Sequence, residues 1–99
     1  VYLARRGKTW LVETRAPKGL LGGMLAFPTS DWSDRPIPAA PFDAHWQERG
    51  EVRHTFTHFH LTLKVLTTMA PGNPDRGRFE ALDPDALPTL FAKAHKLVT

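Results

Sequence analysis

The chain has 99 residues, 41% of them hydrophobic and 23% charged, with a formal charge of +3 and no cysteine. That length and balance fit one soluble globular domain with a modest core, and no apolar run is long enough for a membrane-spanning helix. The lack of cysteine excludes disulfides, thiolate catalysis and thiolate-held zinc or iron–sulfur centres within these residues, and it fits a reducing cytoplasm.

Val1, Leu3 and Arg5 alternate with Tyr2, Ala4 and Arg6, the two-residue period of a strand. Gly7 and Lys8 then make a tight hairpin turn, and residues 9–14 form the return strand. A chain that opens inside a strand is expected to belong to a longer protein. This first third is basic: Arg5, Arg6, Lys8, Arg15 and Lys18 stand against Glu13 alone. Such a face can meet phosphates or simply be solvated. Residues 29–51 reverse the balance, with Asp31, Asp34, Asp43, Glu48 and Glu51 against Arg35 and Arg49.

A turn at 16–19 and a glycine-rich run at 19–23 lead into 24–27, a short buried strand stopped by Pro28. Pro36, Pro38 and Pro41 rule out a long helix across 29–44. Phe42 and Trp46 can pin this stretch to the body, and a short helical turn is expected near 42–48.

Residues 51–69 carry the most information. Val52, His54 and Phe56 share one strand parity, but Phe59, Leu61, Leu63 and Val65 have the opposite parity. A parity switch would turn every later side chain to the other face, so the backbone must bulge or turn between Phe56 and Phe59. Thr57 and His58 occupy that break. After a loop at 71–74, residues 78–82 read as a last strand. Asp83 before Pro84 signals a helix start, and Pro88 interrupts it. Leu90, Phe91, Ala94 and Leu97 give the closing helix an apolar stripe, with Lys93, His95 and Lys96 near its C-terminus. The order of elements indicates an α+β domain.

Two constellations invite chemistry. His54, His58 and His60 have ligand character, but the parity switch separates them and no nearby carboxylate completes a metal set. The run at 19–23 lacks both the lysine–hydroxyl ending of a P-loop and the GxGxxG spacing, so close backbone packing or approach to a nucleic-acid backbone is the expected use of its glycines. Arg15 and Lys18 flank it as candidates for phosphate contact.

Three segments resemble the C-terminal domain of MutY-type adenine DNA glycosylases: GLLGGMLAFP at 19–28, VRHTFTHFHL at 52–61 and ALPTLFAK at 86–93. The resemblance implies a Nudix-like fold, a mixed sheet flanked by helices in a single domain spanning 1–99. It further implies a bacterial, cytoplasmic, nucleoid-associated role in base excision repair. In that family an N-terminal helical domain, bearing acidic catalytic residues and an iron–sulfur cluster, removes adenine mispaired with 8-oxoguanine. The domain represented here would read the 8-oxoguanine, with no catalytic residue, metal or cofactor of its own. Its partners would be duplex DNA carrying the 8-oxoguanine:adenine mispair and its own N-terminal catalytic domain, with no membrane.

Carried over residue by residue, Phe56, Thr57 and His58 become the lesion-reading loop, with Arg15, Lys18, Arg53 and His60 as candidates for the DNA backbone. The family usually has serine where Thr57 stands; the hydroxyl is kept and its rotamer restricted. Guanine N7 only accepts hydrogen bonds, whereas 8-oxoguanine has a hydrogen at N7 and an oxygen at C8. A hydroxyl can accept from the first and donate to the second. Two other classes share the scaffold. A Nudix hydrolase of nucleoside diphosphate derivatives needs an Arg-Glu-x-x-Glu-Glu run to hold magnesium, and no such run follows Pro28. A protein-interaction module is the other alternative.

Overall fold

The computed structural model describes residues 1–17, 21–30, 32, 40, 41, 44–57, 60–69 and 76–99. Alternating apolar residues turn at Gly7, whose φ of 58° suits a residue without a Cβ, to join β1 (Tyr2–Arg6) to β2 (Thr9–Thr14). The antiparallel pair is closed by Thr9, whose hydroxyl donates to the Arg6 carbonyl at 2.7 Å. β3 (Leu25–Ala26) is short because Pro28 follows, and it pairs with the far end of β2. β4 (Gln47–Thr55) and β5 (His60–Met69) form a long antiparallel hairpin, and β6 (Arg78–Ala81) returns to β2.

The sheet order is β3-β2-β1-β5-β4, with β6 also on β2. β3 takes residues 13–14 of β2 and β6 takes residues 9–12, so two strands share one edge. The two hairpins meet where β1 runs parallel to β5, Tyr2 opposite Leu66 through Arg5 opposite Met69. The sheet is therefore mixed.

Asp83 caps a single 3-10 turn, Pro84–Ala86, by accepting from the Asp85 N–H at 3.0 Å. Pro88 ends that turn, because it lacks an N–H and its ring cannot sit inside a helix. It then stands just before α1 (Thr89–Leu97), where its carbonyl accepts from Ala92 at 3.0 Å. Leu90, Phe91 and Ala94 are buried against the inner face of the sheet, formed by Val1, Leu3, Trp10, Val12, Val52, Leu63 and Val65, with Ala26 and Phe27. Leu97, expected in the same stripe, stays 37% exposed. It lies over Gly50, which has no side chain to cover it. On the outer face a smaller cluster joins Ala4 and Leu11 to Trp46 and Phe79.

Of the local expectations, the break after Phe56 holds and the helical turn near 42–48 needs correction. The expected break after Phe56 is present and takes the form of a turn, since Thr55 pairs directly with His60. A separate bulge lies at Arg49, where Glu48 pairs with Leu66 but Gly50 pairs with Val65. Gln47 and Glu48 are strand, not helical turn, because β5 supplies their backbone partners; Ala44 to Trp46 is also non-helical. Phe42 lies outside the described residues, whereas Trp46 does pin its segment, with its ring 5.2 Å from that of Tyr2. One α-helix, on the inner face, is present among the described residues.

His95 sits edge-on to Trp10 at 5.2 Å and stacks over Phe27 at 6.4 Å. Partial burial lowers its pKa from the ordinary 6.5. The unfolded chain therefore takes up this proton first, and folding stability falls as pH drops from 6.5 toward the lower folded value. We expect a lower midpoint in urea at about pH 5.5 than at about pH 7.5, with a smaller difference in His95→Gln. An unaltered pH difference in the variant would exclude this histidine as the source.

Candidate nucleic-acid interface

The β4–β5 hairpin ends in a tip whose two faces differ because side chains alternate. On the inner side Val52 is buried, His54 half-buried, and Phe56 packs on the main core. The Phe56 ring lies 4.8 Å from His54, edge-on, and 6.4 Å from Trp32. Trp32 in turn lies 6.3 Å from Phe91 and carries the Arg15 guanidinium 4.1 Å above its ring. This stack anchors the base of the loop to both the helix and the end of β2. Lys93 adds a brace from α1, with Nζ 3.2 Å from His54 Nδ1 and 3.4 Å from the Arg53 carbonyl. His54 accepts at Nδ1 in that contact, so its other ring nitrogen carries the hydrogen.

The outer side is polar. Thr55 opposes His60 and Arg53 opposes Thr62, and all four are exposed on one face. The Thr55 hydroxyl and His60 Nδ1 are 2.9 Å apart, which fixes the last pair before the loop. Thr57 is exposed at the tip beyond them.

The structure thus gathers Phe56, Thr57, Arg53 and His60 on one hairpin, with Phe56 turned inward as the anchor and the other three outward. Arg15 joins through Trp32 on the inner side. Burial lowers the Arg15 pKa, with Glu13 opposing and Arg76 adding to that shift. His58 and Lys18 lie outside the described residues. His54 and His60 point to opposite faces of the hairpin and so do not converge on a common ion. Trp32 and Lys93 were not foreseen as parts of this region. Trp32 sits among prolines with no periodicity to place it, and Lys93 reads as a helix-end cation.

Gly22 fulfils the expected close approach. A Cβ there would lie 2.6 Å from the Pro17 carbonyl oxygen and 2.9 Å from that of Ala16. Arg15 N–H donates to the Met24 carbonyl and Gly23 N–H to the Arg15 carbonyl, both at 3.0 Å. The loop neck is therefore sealed by backbone, immediately beside the Arg15–Trp32 stack.

A mixed sheet with a C-terminal helix on its inner face defines an α+β domain of Nudix-like architecture. The NUDIX domain family is matched over residues 1–97, and the chain belongs to that family.

Proposed function

We propose that this NUDIX domain reads 8-oxoguanine opposite adenine in double-stranded DNA, for an adenine DNA glycosylase domain that performs the excision. The reading places it in base excision repair in the bacterial cytoplasm, at the nucleoid. The catalytic residues and the iron–sulfur cluster belong to the glycosylase domain, and this domain contributes binding alone. One observation carries the reading: an exposed hydroxyl, Thr57, stands at the tip of a hairpin whose neighbouring Phe56 is anchored in the core. A rigidly mounted hydroxyl can accept from the N7 hydrogen of the oxidised base and donate to its C8 oxygen, losing little freedom on binding. Exposed Arg53 and His60, behind the tip, supply cationic or hydrogen-bonding groups for phosphates. The sequence itself lacks the glutamate-rich run that magnesium-dependent hydrolysis of nucleoside diphosphates requires.

Amide spectra of the nitrogen-labelled chain, titrated with matched duplexes, test the reading. The 8-oxoguanine:adenine duplex should shift Phe56 and Thr57 more than the guanine:adenine duplex does. Thr57→Ala should reduce that preference about five-fold, the worth of one net hydrogen bond. Affinity should fall with salt along a slope of only a few phosphates. Equal response to both duplexes would defeat the proposal, as would steady magnesium-dependent turnover of nucleoside diphosphates.

A further inference from the structure

At the pole opposite the hairpin tip, a cleft of about 370 Å³ opens between the inner face of the sheet and the end of α1. Arg5, His45 and Arg49 line it, and among the described residues no acidic one does. The bulge explains part of this bias. Arg49 is the extra residue between the paired Glu48 and Gly50. The Glu48 carboxylate is engaged elsewhere, 3.7 Å from Lys64, which lies on the outer face. Arg5 donates from Nε to the Gly7 carbonyl at 2.9 Å, which fixes the side chain while its terminal nitrogens remain as donors. At the helix end the His95 carbonyl accepts from Val98 N–H at 3.2 Å and from the Thr99 hydroxyl at 3.1 Å, and basic His95 and Lys96 lie in the last turn.

The rest of the lining is apolar or neutral. Met69, 74% exposed, and Val98 form an aliphatic wall, and Gln47 offers hydrogen bonds. Trp10 also borders the cleft but is only 7% exposed, with Arg5 over its ring at 5.7 Å and His95 against it. It therefore offers no open face on which a nucleobase could stack.

We propose that this cleft binds a partner protein through a peptide segment that carries a carboxylate beside an aliphatic side chain. The guanidinium groups match a carboxylate, and a flexible methionine accommodates aliphatic groups of varied shape. Ten residues of β5 separate cleft and tip, roughly 30 Å at strand rise, so peptide and duplex do not compete. The inference is independent of the DNA reading.

The test is an amide titration of the chain with an acetylated, amidated peptide alternating glutamate and leucine. Shifts should gather at Arg49, Thr68 and Met69 and spare Thr57. Arg49→Gln or Arg5→Gln should weaken binding about tenfold, and Met69→Ser about threefold. A glutamate–serine peptide and a lysine–leucine peptide should bind worse than the parent. A leucine peptide with a free C-terminus, and no glutamate, distinguishes a chain-end carboxylate from a side-chain one. No shift at millimolar peptide, unchanged affinity in both arginine variants, or tighter binding of oligothymidylate at the same amides would overturn the proposal.

Discussion

Phe27→Ala should destabilise the fold by about 3–5 kcal/mol, enough to remove much of the stability of a domain this size. Phe27 is fully buried, and its ring lies 6.3 Å from both Trp10 and Phe91 and stacks with His95. It therefore joins β2, α1 and the end of β3 in one contact set. Truncation leaves a cavity that none of these elements can close without moving the others, since β3 is tied to β2 by backbone hydrogen bonds. Phe27→Leu keeps most of the volume and should cost less than half as much. Urea unfolding measures both; equal losses would mean that ring packing is not what holds α1 to the sheet.

Gly77→Ala should cost about 2–4 kcal/mol although it adds one methyl group at the surface. Gly77 has φ of +80°, and a Cβ there would stand 2.8 Å from the Val12 carbonyl oxygen. The first effect strains the residue itself; the second pushes β6 off the edge of β2, where Arg78 pairs with Val12. Gly7→Ala separates the two contributions. Its φ is +58°, but a Cβ would meet nothing within 4 Å, so it should show only the strain of about 1 kcal/mol. Comparable losses at the two glycines would show that the strand edge yields without cost.

Much of the fold was legible because local pattern and tertiary burial agree. The β1–β2 hairpin, the stop at Pro28 and the buried residues of α1 all follow from period, turn chemistry and proline. The bulge at Arg49 was hidden because residues 47–51 are polar or glycine, so no apolar parity marks the slip. The parallel pairing of β1 with β5 was hidden as well, since neither strand's own sequence names its neighbour. At the hairpin tip, the parity of Phe56 against Leu61 located the turn without deciding between turn and bulge. The inward setting of Phe56 depends on Trp32, far away in the chain. The cleft at the other pole was illegible because its basic side chains come from β1, the residues before β4, and the bulge itself.

The parallel seam also governs the order of assembly. Thr67 donates to the Leu3 carbonyl across 64 residues of chain, whereas each hairpin closes through neighbours. Closing so long a loop costs entropy before any contact rewards it. The β1–β2 and β4–β5 hairpins should therefore form early as separate units, and folding should be limited by zipping them together. Substitutions along that seam would then slow folding, and so would those that weaken either hairpin, since both are already formed in the transition state.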